Sequence, residues 1–251
     1  MPLNPHAEIG FGRASDAYER GRPAYPIEAV DHACAATGVP KDGAVLDVGA
    51  GTGKLTRLLA GRAARVVAVE PVDAMRAELA KRAPFAEALA GTAEALPLSD
   101  ASVDAVFVAQ AFHWFDGPRA LAEIRRVLRP GGGLALVWNA RDERVAWVAE
   151  LTRMLDRHAP DAPRHRSNAW RAAFDGETGF SPLATRTFPF TQELPTLEHL
   201  VDRVASISFV ASMDVDARAA LLGEVRTLGA REDVSRFPYV TEVHVCRRVA
   251  A

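Results

Sequence analysis

Three glycines, two carboxylates and a histidine are the residues of this sequence best placed to do chemistry. Asp47 stands just ahead of Gly49, Gly51 and Gly53, and Glu70 closes the next apolar run. Glycines at that spacing let a backbone approach a ligand without interference from Cβ atoms. A carboxylate about 20 residues beyond such a turn can accept hydrogen bonds from two ribose hydroxyls. Asp47 beside the turn suits a cofactor bearing an ammonium or other positive charge better than one bearing a pyrophosphate. His113 follows a later apolar run and can titrate near neutrality, which makes it the candidate general base. These residues together suggest a nucleoside-containing cofactor with a cationic group.

Parallel strands and the loops after them must position these groups. Val45-Leu46-Asp47-Val48 and Val66-Val67-Ala68-Val69 read as the first two strands. Between them Leu55, Leu58 and Leu59 recur at helical spacing, predicting an amphipathic helix that ends at Gly61 and offers free N–H groups at its start. Upstream, residues 27–37 read as a helix stopped by Gly38. Downstream, the pattern predicts a helix over 72–82, a strand over 87–91, a strand over 103–109, a helix over 120–128 stopped by Pro130-Gly131-Gly132-Gly133, and a strand over 134–138. Such alternation calls for a parallel sheet with helices on both faces and ligands at one edge.

From about Arg141 the pattern changes. A helix from Val145 to His158, a polar break, a short helix about Trp170 and Phe174, and an extended stretch over 184–194 come first. Helices over 197–209 and 216–228 and a cleanly alternating strand over 239–246 follow. The helices between the last two strands read as an inserted cap. Trp147, Trp170 and Phe174 are expected to pack core and cap, and His158 and His165 to be solvated surface histidines without a metal-ligating partner.

Composition narrows the classes. The 251 residues carry 30 Lys+Arg against 32 Asp+Glu, a net charge of −2 that gives no broad basic field for a nucleic-acid backbone. Cys34 and Cys246 form no CxxC pair and are expected to be reduced thiols. The amino terminus shows no secretory pattern and no apolar run is long enough to span a bilayer, so a soluble cytoplasmic protein is expected.

The glycine spacing discriminates between cofactors. A dinucleotide fingerprint, G-x-G-x-x-G, would place its third glycine at position 54, where Lys54 stands. No P-loop occurs either, since Leu55 follows Gly53-Lys54. Five segments then agree in order and spacing: Leu46-Asp47-Val48-Gly49-Ala50-Gly51-Thr52-Gly53, Val69-Glu70-Pro71, Gly91-Thr92-Ala93-Glu94-Ala95-Leu96-Pro97, Ala109-Gln110-Ala111-Phe112-His113-Trp114-Phe115 and Leu128-Arg129-Pro130-Gly131-Gly132. With them, Val45 to Arg141 resembles the class I S-adenosylmethionine-dependent methyltransferases, and among them the small-molecule group called methyltransferase type 11. The arm Tyr18-Glu19-Arg20-Gly21-Arg22-Pro23 resembles the start of many members.

The resemblance implies a Rossmann-like α/β fold, a seven-stranded mostly parallel sheet with an antiparallel last strand and a helical cap inserted before it. It implies one methyltransferase domain over 1–251. Residues 1–38 would be an N-terminal arm and helix, 44–141 the cofactor-binding core, 142–238 the C-terminal part with the cap, and 239–248 the last strand. It further implies S-adenosyl-L-methionine as cofactor, held by Asp47, Gly49, Ala50, Gly51, Thr52, Gly53, Glu70 and Pro71. Thr92, Ala93 and Glu94 would flank adenine, although many relatives carry an aspartate where Thr92 stands. Gln110 would line the methyl-transfer face, and Tyr18 and Arg22 would reach the cofactor from the arm. No metal is implied.

The reaction expected is in-line methyl transfer to a small-molecule acceptor, driven mainly by positioning. A methyltransferase-like protein that binds cofactor without catalysis is the alternative, and an NAD-dependent oxidoreductase is opposed by the glycine spacing. Nucleic-acid methylation is disfavoured because Ala109-Gln110-Ala111-Phe112 replaces the Asn-or-Asp-Pro-Pro-aromatic run of nucleobase and amide methylases.

Overall fold

The computed structural model describes residues 21–158 and 165–249, so Tyr18 lies outside the described residues. They begin with α1 (Ile27–Thr37), which follows Pro26 and ends at Gly38 in the left-handed conformation. Next come β1 (Ala44–Val48), β2 (Arg65–Val69), α2 (Asp73–Arg82), β3 (Glu87–Leu89), β4 (Val103–Ala109), α3 (Gly117–Val127) and β5 (Leu128–Arg141). The rest is α4 (Ala146–His158), β6 (Ala184–Glu193), α5 (Leu197–Ala205), α6 (Ser208–Ala211), α7 (Val215–Arg231) and β7 (Arg236–Arg247). The strands form one seven-stranded sheet in the order β3-β2-β1-β4-β5-β7-β6, mostly parallel with antiparallel last strands. The chain order reverses between β1 and β4, so the carboxyl ends of those strands flank the crevice where open α/β sheets bind ligands.

The described residues fall into two compact units. The larger holds residues 25–139, 165–188 and 241–249. All five residues of β1 are buried, as a central parallel strand covered on both faces requires. Asp47 sits in register with Ala68 of β2 and Phe107 of β4, so its backbone is central to the sheet, and its side chain is buried. One apolar core gathers Leu46, Val67, Val106, Ile124, Leu136 and Trp138; the other gathers Val30, Leu59, Phe107, Val137 and Val245. Cys34 and Cys246 are both free thiols.

The smaller unit holds residues 21–24, 140–158 and 189–240. Its core packs Leu151 and Leu155 of α4, Leu200 and Val204 of α5, and Leu221 and Val225 of α7 with Phe237 and Tyr239. Arg203, a buried cation on α5, donates from Nε to the Tyr239 hydroxyl at 2.7 Å. Among the described residues no helix is long and apolar enough to cross a membrane.

Three elements differ from the sequence-based expectation. The helix predicted after the glycines is a single 3-10 turn, Thr56–Leu59. Gly53, at φ 84°, and Gly61, at φ 72°, bound the segment, and the 3-10 turn between them leaves no α-helical N-terminus to offer amides. The Pro-Gly-rich run after α3 does not delay β5. Val103 pairs with Leu128 and Ala105 with Gly133, so the intervening residues bulge out of a strand that starts six residues before Leu134. The helix predicted over 197–209 breaks at Ser206 and Ile207. There Ser206 Oγ donates back to the Arg203 carbonyl at 2.8 Å and Ile207 is extended.

Candidate active site

The glycine loop leaves β1 and is braced by the end of β2. The N–H groups of Gly49 and Ala50 both donate to the Val69 carbonyl, at 2.9 and 3.2 Å. Gly51 N–H donates to Glu70 Oε2 at 2.8 Å, and Val72 N–H to Glu70 Oε1 at 2.9 Å. Three consecutive loop amides are thus spent within the fold, so they are not aimed outward as an anion-binding cradle would require. Gly49 and Gly51 have φ of 67° and 58°, a region costly for residues with a Cβ. Their surroundings differ. A Cβ on Gly49 would lie 2.9 Å from Ala111 Cβ, whereas one on Gly51 would meet only Met75 Sδ, at 3.9 Å. The space above Gly51 is open.

Asp47 is 1% exposed, and the Thr56 hydroxyl donates to its Oδ2 at 2.6 Å. The 3-10 turn serves this bond, because it carries Thr56 back over β1. Asp47 Oδ1 is buried and has no hydrogen-bond partner. Burial pushes the Asp47 carboxyl up to about 7, the neighbouring Glu70 charge adds to the rise, and the Thr56 hydrogen bond opposes it. Leaving a buried carboxylate oxygen without a donor is expensive. Oδ1 keeps its capacity to accept a hydrogen bond.

Glu70 is 5% exposed, and burial also raises its carboxyl, against the hydrogen bonds from Val72 and Gly51 and the charge of Arg76. Its two oxygens offer about four lone-pair positions, of which the two backbone amides take two. Acceptor capacity remains for two hydroxyls.

In the loop after β3, Thr92 and Ala95 form an isolated antiparallel bridge that buries Ala93. Glu94 Oε1 accepts from Asp116 N–H at 3.0 Å, tying this loop to the start of α3. After β4, Gln110 adopts φ 57°, a strained conformation for a residue with a side chain. It is held there by N–H donation to the Val137 carbonyl at 2.9 Å and Nε2 donation to the Asn139 carbonyl at 3.3 Å. His113, on the 3-10 turn Phe112–Trp114, accepts at Nδ1 from the Trp138 indole N–H at 3.3 Å. That bond engages the lone pair a general base would use and leaves the proton on Nε2. Arg22 belongs to the smaller unit, where its Nη2 donates to the Ser206 carbonyl at 2.9 Å.

The larger unit therefore brings together Asp47, the glycine loop and Glu70 at the switch of strand order, where a nucleoside-containing ligand would be expected. The family model described as a methyltransferase domain matches residues 46–136, the segment that carries all of these groups. An uncharacterised methyltransferase of Mycobacterium tuberculosis is 44% identical over 246 residues, covering 96% of this chain and 95% of the relative. The chain belongs to the class I methyltransferases.

A methyltransferase-like protein of Schizosaccharomyces pombe is 36% identical to this methyltransferase over 235 residues, 93% of one chain and 90% of the other. A solved structure from Anaeromyxobacter dehalogenans, assigned to the type II methyltransferases, superposes with a TM-score of 0.63 at 27% identity. The match covers 90% of this chain and 96% of that one.

One histidine is not where the sequence suggested. His165 was expected to be a solvated surface residue, but its side chain is only 13% exposed and its ring stacks on Trp138 with centroids 4.3 Å apart. Glu242 and His244, which lie beside it, drew no attention in the sequence, because they appear there as ordinary positions of an alternating strand. His158 is exposed, as expected.

Proposed function

We propose that this methyltransferase uses S-adenosyl-L-methionine to methylate a small-molecule acceptor. The observation that carries the reading is the buried, unpartnered Oδ1 of Asp47 beside a glycine loop whose amides are already engaged. Such a site repels a pyrophosphate and accepts an ammonium, which fits the methionyl end of this cofactor and not a dinucleotide. When bound, the cofactor supplies a methyl group on a sulfonium, already activated toward a nucleophile.

The chain's residues then bind and orient. Asp47 takes the ammonium, and Glu70 uses its remaining lone pairs for the ribose hydroxyls. The open space over Gly51 admits the chain of the ligand close to the backbone. Ala50, Thr52, Gly53 and Pro71 complete the cradle, Thr92 and Ala93 flank the base, and Gln110 borders the transfer face. Glu94 supports the base-side loop through Asp116. The net charge of −2 and the Ala109-Gln110-Ala111-Phe112 run after β4 favour a small organic acceptor over a nucleic acid.

The decisive experiment uses the full chain in two steps. Calorimetric titration with S-adenosylhomocysteine is expected to show saturable binding. Incubation with S-adenosylmethionine and a pool of small metabolites is expected to release S-adenosylhomocysteine. Binding of NADH in place of both sulfur ligands would sink the proposal.

The bond from Trp138 supports a holding role for His113 in the loop after β4 over that of the general base. His113→Ala is expected to lower stability by about 1–3 kcal/mol, because the buried Trp138 N–H loses its acceptor. The shape of the pH–rate profile should be unchanged. Loss of an ionisation near neutrality from that profile, in a variant that folds, would restore the histidine as a base.

A further inference from the structure

We infer that His165, Glu242 and His244 form a binding site for a divalent transition metal of the zinc or iron(II) class, separate from the glycine-loop site. One donor atom from each of the three lies within 4.8 Å of the others, and all three residues belong to the larger unit. Glu242 Oε2 is 3.3 Å from His165 Nε2 and 3.1 Å from His244 Nε2. Two ligands bound tetrahedrally to zinc at its usual bond lengths stand about 3.4 Å apart, so these two spacings need little change. The two imidazole donor atoms lie within 4.8 Å of each other, and binding would bring them to that separation.

In the metal-free protein Glu242 pairs with both rings, and the same three donor atoms converge as those of a ligand set would. His165 Nε2 is buried and makes no hydrogen bond of acceptable geometry, although a carboxylate oxygen lies beside it. His244 is fully buried, and its Nδ1 lies 2.7 Å from Thr185 Oγ1. If Nδ1–H donates to that hydroxyl, Nε2 is left as the free donor atom facing Glu242, which is how an outer hydrogen bond fixes the tautomer of a metal-bound histidine. Without metal, the opposite tautomer lets Nε2–H donate to Glu242 and Nδ1 accept from Thr185 and from Arg171 Nη2 at 3.3 Å.

The packing holds the donors in position. His165 stacks on Trp138, and the Trp170 indole N–H donates to the His165 carbonyl at 3.2 Å. Two imidazoles and one carboxylate select zinc, iron(II), cobalt or nickel over magnesium or calcium, which take oxygen ligands. Three protein ligands leave at least one coordination position for water or another ligand. The Arg171 cation near the His244 ring opposes the ion's charge and tempers affinity. A bound ion would join the segment carrying His165 to β7 through ligands that neither element supplies alone.

Cobalt(II) is the probe, because a site of four or five ligands gives intense visible d–d bands that the hexaaqua ion lacks. Full-length, untagged protein is stripped with chelator and titrated with Co2+, then with Zn2+ in competition. One equivalent of Co2+ is expected to produce the bands, and Zn2+ to abolish them. His165→Ala, a change outside the sheet, is expected to weaken Co2+ binding at least tenfold, and Glu242→Gln to do the same. The far-UV circular dichroism of each variant establishes that it is folded. Absence of the bands in the parent protein, or bands of equal strength and affinity in folded His165→Ala, overturns the site. S-adenosylhomocysteine binding is measured in parallel and is expected to survive both substitutions, so failure here does not touch the proposed function.

Discussion

Asp47→Asn is expected to stabilise the cofactor-free protein above pH 7 and, at the same pH, to weaken its hold on S-adenosylhomocysteine. The two opposite signs have one origin. The Asp47 carboxyl is raised from 3.8 to about 7 in the folded protein, chiefly by burial. Below about pH 4 the folded and unfolded chains both keep the proton, and burial costs nothing in charge. Between about pH 4 and pH 7 the unfolded chain has released its proton while the folded chain still holds it, so folding loses stability as pH rises. Above about pH 7 both are ionised and the loss is complete. At about 1.4 kcal/mol per tenfold change in proton affinity, it amounts to about 4 kcal/mol.

Asparagine removes this loss. Its carbonyl can still accept from the Thr56 hydroxyl, so the bond that anchors the 3-10 turn survives. Thermal melts of the cofactor-free protein should therefore converge for parent and variant near pH 4 and separate above pH 7, with the variant higher. Cofactor affinity runs the other way, since the ammonium needs the ionised carboxylate. In the parent protein it should rise about tenfold per pH unit up to pH 7 and then level off. In the variant it should be flat with pH and about thirty- to a hundredfold weaker above pH 7, the loss of one charge-assisted bond in a buried place. Equal affinity in the two proteins at pH 8 would remove Asp47 from the ammonium site.

The sequence showed much of this site because its physics is local. Gly49 and Gly51 announce positive φ, and Glu70 announces itself as a carboxylate at the end of an apolar run. The alternation of strands and helices likewise predicted a mostly parallel sheet, since periodicity reports burial one element at a time. What depended on contacts between distant residues was not legible. Leu55, Leu58 and Leu59 mark an apolar face, but nothing in their spacing separates a helix from the 3-10 turn that Thr56 needs to reach Asp47. The bond from the Asp116 amide to Glu94 Oε1, which ties the loop after β3 to the start of α3, had no signature in the sequence. His165 and Glu242 meet only in the folded chain, where β7 lies within the sheet and a 3-10 turn opens at His165, whose ring stacks on Trp138. A histidine and a glutamate that far apart in sequence give no spacing to recognise.

Glu70→Ala should damage both the fold and cofactor binding, because one carboxylate serves both. Its Oε2 and Oε1 accept from the amides of Gly51 and Val72, which fixes the middle of the glycine loop to the turn after β2. Alanine leaves those two amides without their acceptor, at about 1–2 kcal/mol each in a part-buried setting. Part of that loss is returned because a buried carboxylate, whose proton affinity burial has raised, is no longer desolvated. The expected net cost to folding is about 2 kcal/mol, read as a lower urea midpoint at unchanged slope. Cofactor affinity should fall by a further 1–3 kcal/mol, about 5- to 150-fold, when the ribose hydroxyls lose their acceptor. Glutamine separates the two roles. Its carbonyl can satisfy one amide, but its NH2 meets the other donor head-on, so Glu70→Gln should recover little stability and no more than one ribose hydrogen bond. The measurements are urea unfolding of each variant and S-adenosylhomocysteine calorimetry on the folded protein at pH 8. An alanine variant that binds within twofold of the parent would refute the ribose assignment. Unchanged stability with weakened binding would refute the bracing of Gly51.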